Sequence, residues 1–304
     1  GKSTLVREVL LKNIYNLKNK FGRSKELSSK ELYGCSSILN WELVDRVLEV
    51  DQTPIGKTPR STPATYVGFW DSIRKVFSEN NEAKAKGWNA SHFSFNSGDG
   101  KCSNCKGYGF EKIEMSFLPN VKVKCASCNG MRFNFETRKI LWKGKSISDV
   151  LEMNFADACD FFDNHPMIKK PLKLLNDLGL GYLTLGQASS TLSGGESQRI
   201  KLISELKKNT DSMNSLYILD EPTVGLHMAD VQKLLMVVRK LVDAGNTVVI
   251  IEHNLDIWSA ADWIIDLGPK GGEEGGHLLC QNTPANLKEL ETSTAKILKK
   301  HLHS

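Results

Sequence analysis

Two short motifs in the chain carry residues that could bind and hydrolyse a nucleotide. The first is Ser193-Gly194-Gly195-Glu196, followed by a predicted helix from Gln198 to Leu206. Its glycines allow a loop to approach an anion, and a helix N-terminus offers free N–H groups and positive dipole charge to a phosphate. The second is the apolar run 216–219, which predicts a buried strand ending in Asp220 and Glu221. Ligands bind at the carboxyl ends of parallel strands, so Asp220 is placed to hold Mg²⁺ and Glu221 to orient or deprotonate a water.

Each motif has an ordinary interpretation by itself. The glycine pair is most often a turn, and an apolar run ending in two acids is most often a strand that reaches the surface. Together, in this order and at this spacing, they resemble the signature and Walker B motifs of the ABC ATPases.

The chain begins with Gly1-Lys2-Ser3-Thr4, which matches the end of the P-loop pattern G-x-x-x-x-G-K-[ST]. Lys2 would reach the β- and γ-phosphates, and Ser3 would bind Mg²⁺. Residues 4–21 predict the helix that follows. A tetrapeptide occurs readily by chance, but Asp220 would supply the other half of the same Mg²⁺ site. The sequence starts inside this motif and with Gly rather than Met, so we expect a fragment.

Two further polar residues follow predicted strands. Gln52 comes after the predicted strand 41–50 and resembles the Q-loop glutamine that links Mg²⁺ to the neighbouring lobe of an ABC ATPase. His253 follows the apolar strand 248–251 and matches the switch histidine that meets the γ-phosphate. Taken alone, Gln52 is more often a solvated loop residue and His253 a structural one, so both assignments rest on position.

The most specific local signal is a pair of cysteine knuckles, Cys102-x-x-Cys105 and Cys125-x-x-Cys128. Two knuckles of this spacing can surround one tetrahedral zinc ion, and glycines follow both pairs, as tight knuckles require. Disulfides and buried free thiols are the alternatives, but the chain has no secretory signal. We therefore predict a zinc site. The remaining cysteines have no paired spacing and are predicted core residues: Cys35, Cys159 and Cys280.

Positive charge is concentrated around the knuckles. The 304-residue chain carries a net charge of +5, whereas residues 101–145 hold ten Lys or Arg and three Asp or Glu, a net charge of +7. Residues 110–124 alternate as a hairpin would, with a turn around residues 117–120. A basic zinc hairpin of this kind is a plausible DNA contact, the alternative being a solvated basic face. With the proline-rich loop 54–66, the candidate DNA residues are Lys57, Arg60, Phe117, Lys122 and Lys124.

Composition and length indicate the class of protein and the number of domains. A hydrophobic content of 40% and a charged content of 25% are ordinary for a soluble globular protein, and the length predicts roughly two domains. No apolar run is long enough to span a membrane, and no signal peptide is present, so we expect a cytoplasmic protein. We predict an α/β fold, an ABC-type P-loop ATPase core with an inserted α-helical signature domain that carries a Cys₄ zinc module.

The predicted domains are a first part of the ATP-binding core (1–50), the inserted DNA-facing domain (51–190, with zinc at about 101–140), a second core part (191–287) and a C-terminal tail (288–304). Within them, residues 147–162, 166–178 and 230–243 predict helices, and residues 263–268 a strand.

Several longer segments together resemble one family. These are LGQASSTLSGGESQRIKL, YILDEPTVGLH, VVIIEHNLD, ADWIIDLGPKGGEEGG and the knuckle segment EMSFLPNVKVKCASC. They are similar to the DNA-damage-recognition A subunit of the bacterial excinuclease, over nearly the whole chain, and fit its carboxy-terminal ABC module. The start of the P-loop and the amino-terminal module are absent from the sequence.

The resemblance implies an ATPase that uses ATP, Mg²⁺ and Zn²⁺ and is not itself the nuclease. It implies binding to duplex DNA, especially damaged DNA, dimerisation with a second copy, and delivery of the helicase partner of the excinuclease to lesions. The signature loop 193–196 would complete a nucleotide site of another module, the amino-terminal one of the full chain. The alternatives are a paralogue for resistance to DNA-damaging drugs, an ABC transporter subunit and a non-enzymatic zinc scaffold.

Overall fold

A computed structural model describes residues 1–21, 32–56, 58–115, 118–208, 214–270 and 272–302. The chain forms two compact units. The core unit contains residues 1–52 and 208–304, and the inserted unit contains residues 53–207. The mixture of helices and strands confirms the predicted α/β class.

The strands, in chain order, are β1 (Arg46–Val50), β2 (Phe110–Met115), β3 (Leu118–Lys124), β4 (Leu141–Trp142), β5 (Lys145–Ser146), β6 (Ser215–Asp220), β7 (Thr247–Ile251), β8 (Ile264–Gly268) and β9 (His277–Asn282). The α-helices are α1 (Lys12–Phe21), α2 (Pro63–Val67), α3 (Trp70–Ser78), α4 (Asn81–Ala85), α5 (Phe135–Lys139), α6 (Ile147–Glu152), α7 (Phe155–Phe161), α8 (Pro166–Asp177), α9 (Gly194–Lys208), α10 (Met228–Asp243), α11 (Leu255–Ala260), α12 (Pro284–Leu287) and α13 (Ser293–Leu302).

The core unit is built on a parallel sheet in the order β1-β6-β7. Strand β6 lies in the middle, and residues 215–219 are buried, as the apolar run predicts. Ile14, Leu17 and Trp41 pack with apolar side chains of this strand to form the core. Because β6 and β7 run in the same direction, Asp220 and the residues after Ile251 meet at one edge of the sheet.

The N-terminal helical stretch differs in type from the sequence prediction. Residues Thr4–Leu11 form π-helical turns, and the α-helix begins only at Lys12. The predicted strand 41–50 is likewise shorter. Residues Trp41–Leu43 form a 3₁₀ turn after Asn40, which has a left-handed backbone, and the buried Trp41 joins the core before β1 begins.

The C-terminal part of the core unit has a small core of its own. Strands β8 and β9 pair in antiparallel fashion. Leu287, Ala295 and Leu298 are fully buried, and Trp258 and Ile264 pack against them. The segment predicted as a tail therefore includes a packed helix, α13.

The inserted unit has an aromatic core, in which Trp70 and Phe133 both contact the ring of Phe95. The predicted helix 147–162 is wrong in its continuity, because α6 ends at Glu152 and α7 starts after Asn154. The Asn154 side chain accepts the N–H of Asp157 and caps the second helix.

Helix α9 also packs within the inserted unit. Lys201 Nζ donates to Thr53 Oγ1 at 2.7 Å, and Lys207 Nζ donates to the carbonyl of Val67 at 3.0 Å. These contacts group the helix with residues 53–207. The domain boundary predicted from the sequence, between residues 190 and 191, assigns it instead to the ATP-binding core. In the described parts of the chain, no helix combines the length and the apolar character needed to cross a membrane.

Candidate nucleotide site and zinc module

The end of β6 presents the two predicted acids. Asp220 Oδ2 lies 3.5 Å from Arg7 Nη1, and Arg7 Nε lies 2.5 Å from Glu49 Oε1. Glu221 has a left-handed backbone with φ of +46°, which is uncommon for a residue with a side chain. Its N–H donates to the carbonyl of Ile251 at 2.9 Å, so the sheet holds this conformation in place. Strained backbone conformations cluster at functional sites.

Lys2 and His253 meet beside these acids. Lys2 Nζ lies 3.3 Å from His253 Nε2, and His253 Nε2 lies 3.8 Å from Glu221 Oε1. An ammonium group, an imidazole and a carboxylate thus converge, although 251 residues separate Lys2 from His253. Ser3 and Thr4 lie at the start of the adjoining helical stretch. These donor types suit a triphosphate and Mg²⁺, which prefers oxygen ligands such as those of Ser3 and Asp220.

Glu252 is a buried residue of this site that sequence reasoning missed. Its Oε1 accepts the N–H of Thr223 at 2.8 Å and also the Thr223 hydroxyl. Its Oε2 accepts the N–H groups of His253 at 2.7 Å and Asn254 at 3.1 Å. One carboxylate, 8% exposed, therefore ties the loop after β6 to the loop after β7. In the sequence, Glu252 is visible only as an acid directly after an apolar strand. An exposed acid at the end of a strand gives the same pattern, so the sequence does not show that Glu252 is buried.

The signature motif lies at the start of α9 in the inserted unit. The Ser193 N–H donates to Glu196 Oε2 at 2.7 Å, and the Glu196 N–H donates to Ser193 Oγ at 3.3 Å, which forms a capping box. The helix consequently begins at Gly194, and the prediction that both glycines belong to a loop before Gln198 is wrong.

Tyr182 donates its hydroxyl to the Glu196 carboxylate. Partial burial and this carboxylate raise the pKa of Tyr182 to about 12. Burial opposes ionisation of Glu196, but the Tyr182 hydroxyl and the Ser193 donors outweigh it and lower the pKa of Glu196. The signature acid is therefore held ionised at the helix N-terminus. Gln52 is exposed just after β1, and its predicted contact with Mg²⁺ stays a prediction.

The four predicted zinc ligands form a buried cluster. Their sulfur atoms all lie within 4.8 Å of one another, with Sγ–Sγ distances of 4.0 Å for Cys102–Cys125 and 3.6 Å for Cys105–Cys128. Zn–S bonds of about 2.3 Å at tetrahedral angles place sulfurs about 3.8 Å apart. All seven cysteines are free, so the cluster is not a pair of disulfides. The geometry fits a Cys₄ zinc site.

Local backbone geometry builds the knuckles. Gly107 and Gly109 both have φ of +81°, and a side chain at Gly107 would collide with the carbonyl oxygen of Phe95. The Gly109 N–H donates to Cys105 Sγ at 3.2 Å. Burial raises the pKa of Cys128 to about 12 and also raises that of Cys105. Because zinc binds thiolates, metal binding must displace these protons.

The other cysteines differ in burial. Cys159 is buried in the inserted unit, as predicted, whereas Cys35 and Cys280 are only partly buried. The prediction that all three are core residues is therefore confirmed for Cys159, whereas Cys280 packs at the edge of the small C-terminal core and Cys35 is only partly buried.

Strands β2 and β3 form the predicted basic hairpin. In its register, Phe110 pairs with Lys124 and Lys112 with Lys122, so these four residues share one face. The opposite face carries Ile113, Val121 and Val123, each between 44% and 48% exposed. The predicted turn at 117–120 is wrong in position, because β3 already begins at Leu118.

The DNA candidates are distributed as follows. Lys122 and Lys124 are exposed, and Arg60 is half-buried with its guanidinium carbon 4.8 Å from the ring centre of Tyr108. Lys57 and Phe117 lie outside the described residues.

The fold and its two sites define an ABC-type ATPase module with an inserted Cys₄ domain. No family model matches the chain. UvrABC system protein A of Bacillus subtilis is 52% identical over 300 residues, covering 98% of this chain and 30% of the relative. The protein of the same name from Aquifex aeolicus is 51% identical over 303 residues, covering 99% of this chain and 32% of the relative.

A solved structure supports the same family relationship. The crystal structure of UvrA2 from Deinococcus radiodurans matches with a TM-score of 0.79 and 45% identity, covering 88% of this chain and 33% of that chain. This chain belongs to the family of UvrABC system protein A. It spans about a third of the length of the curated relatives it matches.

Proposed function

We propose that this chain is the carboxy-terminal ABC module of a nucleotide excision repair protein, which binds duplex DNA and uses ATP to recognise damage. The observation that carries the proposal is the convergence of Lys2, Glu221 and His253 in one site of a chain about 50% identical to UvrABC system protein A. The relatives are named as protein A of the UvrABC system, and the convergent residues supply the groups that an ATPase needs.

In the proposed reaction, each residue of the core unit has one role. Gly1, Lys2 and Thr4 bind the phosphates, and the Ser3 hydroxyl and Asp220 hold Mg²⁺, with Gln52 contributing from the end of β1. Glu221 accepts a hydrogen bond from the attacking water and takes up its proton. His253 donates a hydrogen bond to the γ-phosphate. The neighbouring Lys2 ammonium attracts the negative charge of the same phosphate.

The partners are proposed from the same family relationship. Ser193, Gly194, Gly195 and Glu196 complete a nucleotide site of another module, which is the amino-terminal module of a longer chain. The protein forms a homodimer with a second copy, and it loads the helicase partner of the excinuclease at the lesion. These activities take place in the cytoplasm.

The DNA surface is proposed to be the basic face of the zinc hairpin with the adjoining proline-rich loop. A zinc ion held by the four cysteine thiolates would have a structural role there, since four protein ligands leave no position for a substrate. Lys122 and Lys124 neutralise phosphates, and Lys57, Arg60 and Phe117 extend the contact. A damage sensor gains from contacts to the backbone, because lesions differ too widely for one pattern of base contacts.

The test uses the 304-residue chain with zinc verified by metal analysis. Fluorescence anisotropy measures its affinity for a duplex with one bulky adduct and for the same duplex without it, each with and without Mg·ATP. We expect binding to both duplexes, tighter binding to the damaged one, and dependence of that preference on ATP. Lys2→Ala should remove the ATP dependence and keep duplex binding. Absence of duplex binding by the zinc-loaded chain would contradict the proposal.

A further inference from the structure

Two cations near the zinc knuckles lie against aromatic rings. Lys122 Nζ is 5.1 Å from the ring centre of Phe110, and the Arg60 guanidinium carbon is 4.8 Å from that of Tyr108. The two rings contact each other edge to face, with centres 5.9 Å apart and planes at 61°. The four side chains therefore form one continuous strip, which we call the Arg60–Lys122 strip, from the proline-rich loop onto the hairpin.

The strip is anchored at its middle. Tyr108 packs against the cysteine cluster, and its N–H donates to the carbonyl of Cys105 at 3.0 Å. Phe110 is the first residue of β2, directly after the knuckle. The knuckle geometry thus fixes both rings, and the rings limit the conformations of Arg60 and Lys122. Free Arg and Lys side chains lose rotamer entropy when they are immobilised, so part of that cost is already met before a ligand binds.

The charges on this strip have no internal counterpart among the described side chains. No described carboxylate lies within ion-pair distance of Arg60 or Lys122. Lys112 pairs directly across the hairpin from Lys122, and like charges at opposed positions destabilise a hairpin. A polyanion laid along this face would relieve that repulsion. Arg60 Nη1 donates to the carbonyl of Asn96 at 3.5 Å, and the flat face of the guanidinium rests on the ring of Tyr108. The other N–H groups of the guanidinium remain for a phosphate.

We propose that Tyr108 and Phe110 are positioning residues that hold Arg60 and Lys122 as a preorganised pair of contacts for the phosphate backbone of duplex DNA. This inference rests on the proposed duplex binding and adds to it the residues that fix the contact geometry. The rings act through the two cations and do not read the bases.

The experiment replaces each ring by an apolar side chain without a π face. Tyr108→Leu and Phe110→Leu are titrated against a labelled duplex over a range of salt concentrations. Each should weaken duplex binding about two- to five-fold, the worth of an exposed cation–π contact. The slope of log affinity against log salt should stay at the wild-type value, because no charge is removed. Arg60→Ala, in contrast, should make the slope less steep by about 0.9, the loss of one phosphate contact.

Two controls separate positioning from folding. Tyr108→Phe keeps the ring and should bind as wild type. Phe135→Leu removes a matched pair outside the strip, since Lys139 Nζ lies 4.6 Å from the Phe135 ring and Phe135 is 65% exposed. It should leave duplex affinity unchanged. Zinc content is measured for each variant, and the ring-current shift of the Lys122 side-chain methylenes reports the contact in the free protein.

The outcomes are distinct. If the zinc-loaded wild type does not bind duplex DNA, the proposed function fails and this inference fails with it. If wild type binds while Tyr108→Leu and Phe110→Leu bind equally well or more tightly, the rings do not position the cations, and only this inference is overturned. A change of salt slope in either leucine variant would also overturn it.

Discussion

The residues of the candidate nucleotide site come from distant parts of the sequence, whereas the zinc ligands lie within one stretch of 27 residues, 102–128. In the nucleotide site, Lys2, Glu221 and His253 are brought together by a parallel sheet and by the hydrogen bonds of Glu252. In the zinc module, backbone knuckles and four sulfurs determine the geometry. One site therefore depends on the core unit as a whole, and the other on a single local cluster.

The difference implies that the two sites fail independently. Removal of a buried acceptor near β6 and β7 should damage the nucleotide site and spare the hairpin. Removal of the metal should do the reverse. Each of the following predictions tests this separation.

The largest effect is expected from removal of zinc. Structural zinc sites of this type contribute apparent binding free energies of about 10–16 kcal/mol, so a chelator should disorder residues 101–134. Hydrogen exchange should rise in β2 and β3 and stay unchanged in β6 and β7. Metal affinity should also fall as pH is lowered, because protons compete for the thiolates of Cys105 and Cys128.

Cys125→Ser should lose the metal, whereas Cys35→Ser, outside the cluster, should retain one zinc per chain. Exchange that spreads to β6 after chelation would show that the two regions are not independent.

The next effect concerns turnover. Glu221→Gln keeps the size of the side chain and removes its basicity, so ATP hydrolysis should fall at least about 100-fold while Mg·ATP affinity is retained. Turnover is measured at high chain concentration, where a second copy can supply residues 193–196. Glu274→Gln, an exposed acid of the same unit paired with Lys270, is the control. Unchanged turnover in Glu221→Gln, with Lys2→Ala inactive, would exclude Glu221 as the base.

Glu252 gives a smaller effect that is confined to the core unit. Glu252→Ala leaves the N–H groups of Thr223, His253 and Asn254 without their acceptor, which should cost at least about 2 kcal/mol of the free energy of unfolding. Urea denaturation measures the loss, and zinc content should not change. In a double-mutant cycle with Thr223→Val, the two changes should be less than additive because they remove one shared contact. Simple additivity would contradict the hydrogen bonding between Thr223 and Glu252.

The smallest effect is a titration in the inserted unit. The pKa of Tyr182 is raised to about 12 from its ordinary value of 10, so the neutral phenol is favoured in the fold. Its contribution to stability is therefore complete below pH 10 and is lost as pH rises from 10 to 12. The difference in absorbance at phenolate wavelengths between wild type and Tyr182→Phe measures this titration. Glu196→Gln should return the midpoint toward 10, and an unchanged midpoint would rule out the Glu196 carboxylate as a cause.

The sequence predicts local and strongly patterned features well. The apolar run before Asp220 gives β6, and the paired Cys-x-x-Cys knuckles give the sulfur cluster, because each is determined by neighbouring residues. Breaks within helices are less visible. The division between α6 and α7 depends on the Asn154 cap and a contact with Thr184 from another segment, which a helical pattern does not show.

Contacts between residues that are distant in sequence are harder still to predict. The four hydrogen bonds of Glu252, and the contact of Arg7 with Asp220, require the sheet to be assembled first. The cation–aromatic pairing of Arg60 with Tyr108 joins residues far apart in sequence and has no periodic signal. Prediction succeeded for the strand and the sulfur cluster, and it failed for buried contacts that another element provides and for the local capping box that starts α9 at Gly194.

A salt titration of duplex affinity for Lys122→Ala/Lys124→Ala, with Mg·ATP affinity measured on the same sample, examines both sites at once. We expect weaker binding to damaged and undamaged duplex and a salt slope less steep by about 1.8, since each lost phosphate contact contributes about 0.9. Zinc content and Mg·ATP affinity should equal those of wild type. An unchanged slope would assign both lysines to a solvated basic face, and a changed ATP affinity would contradict the separation of the two sites.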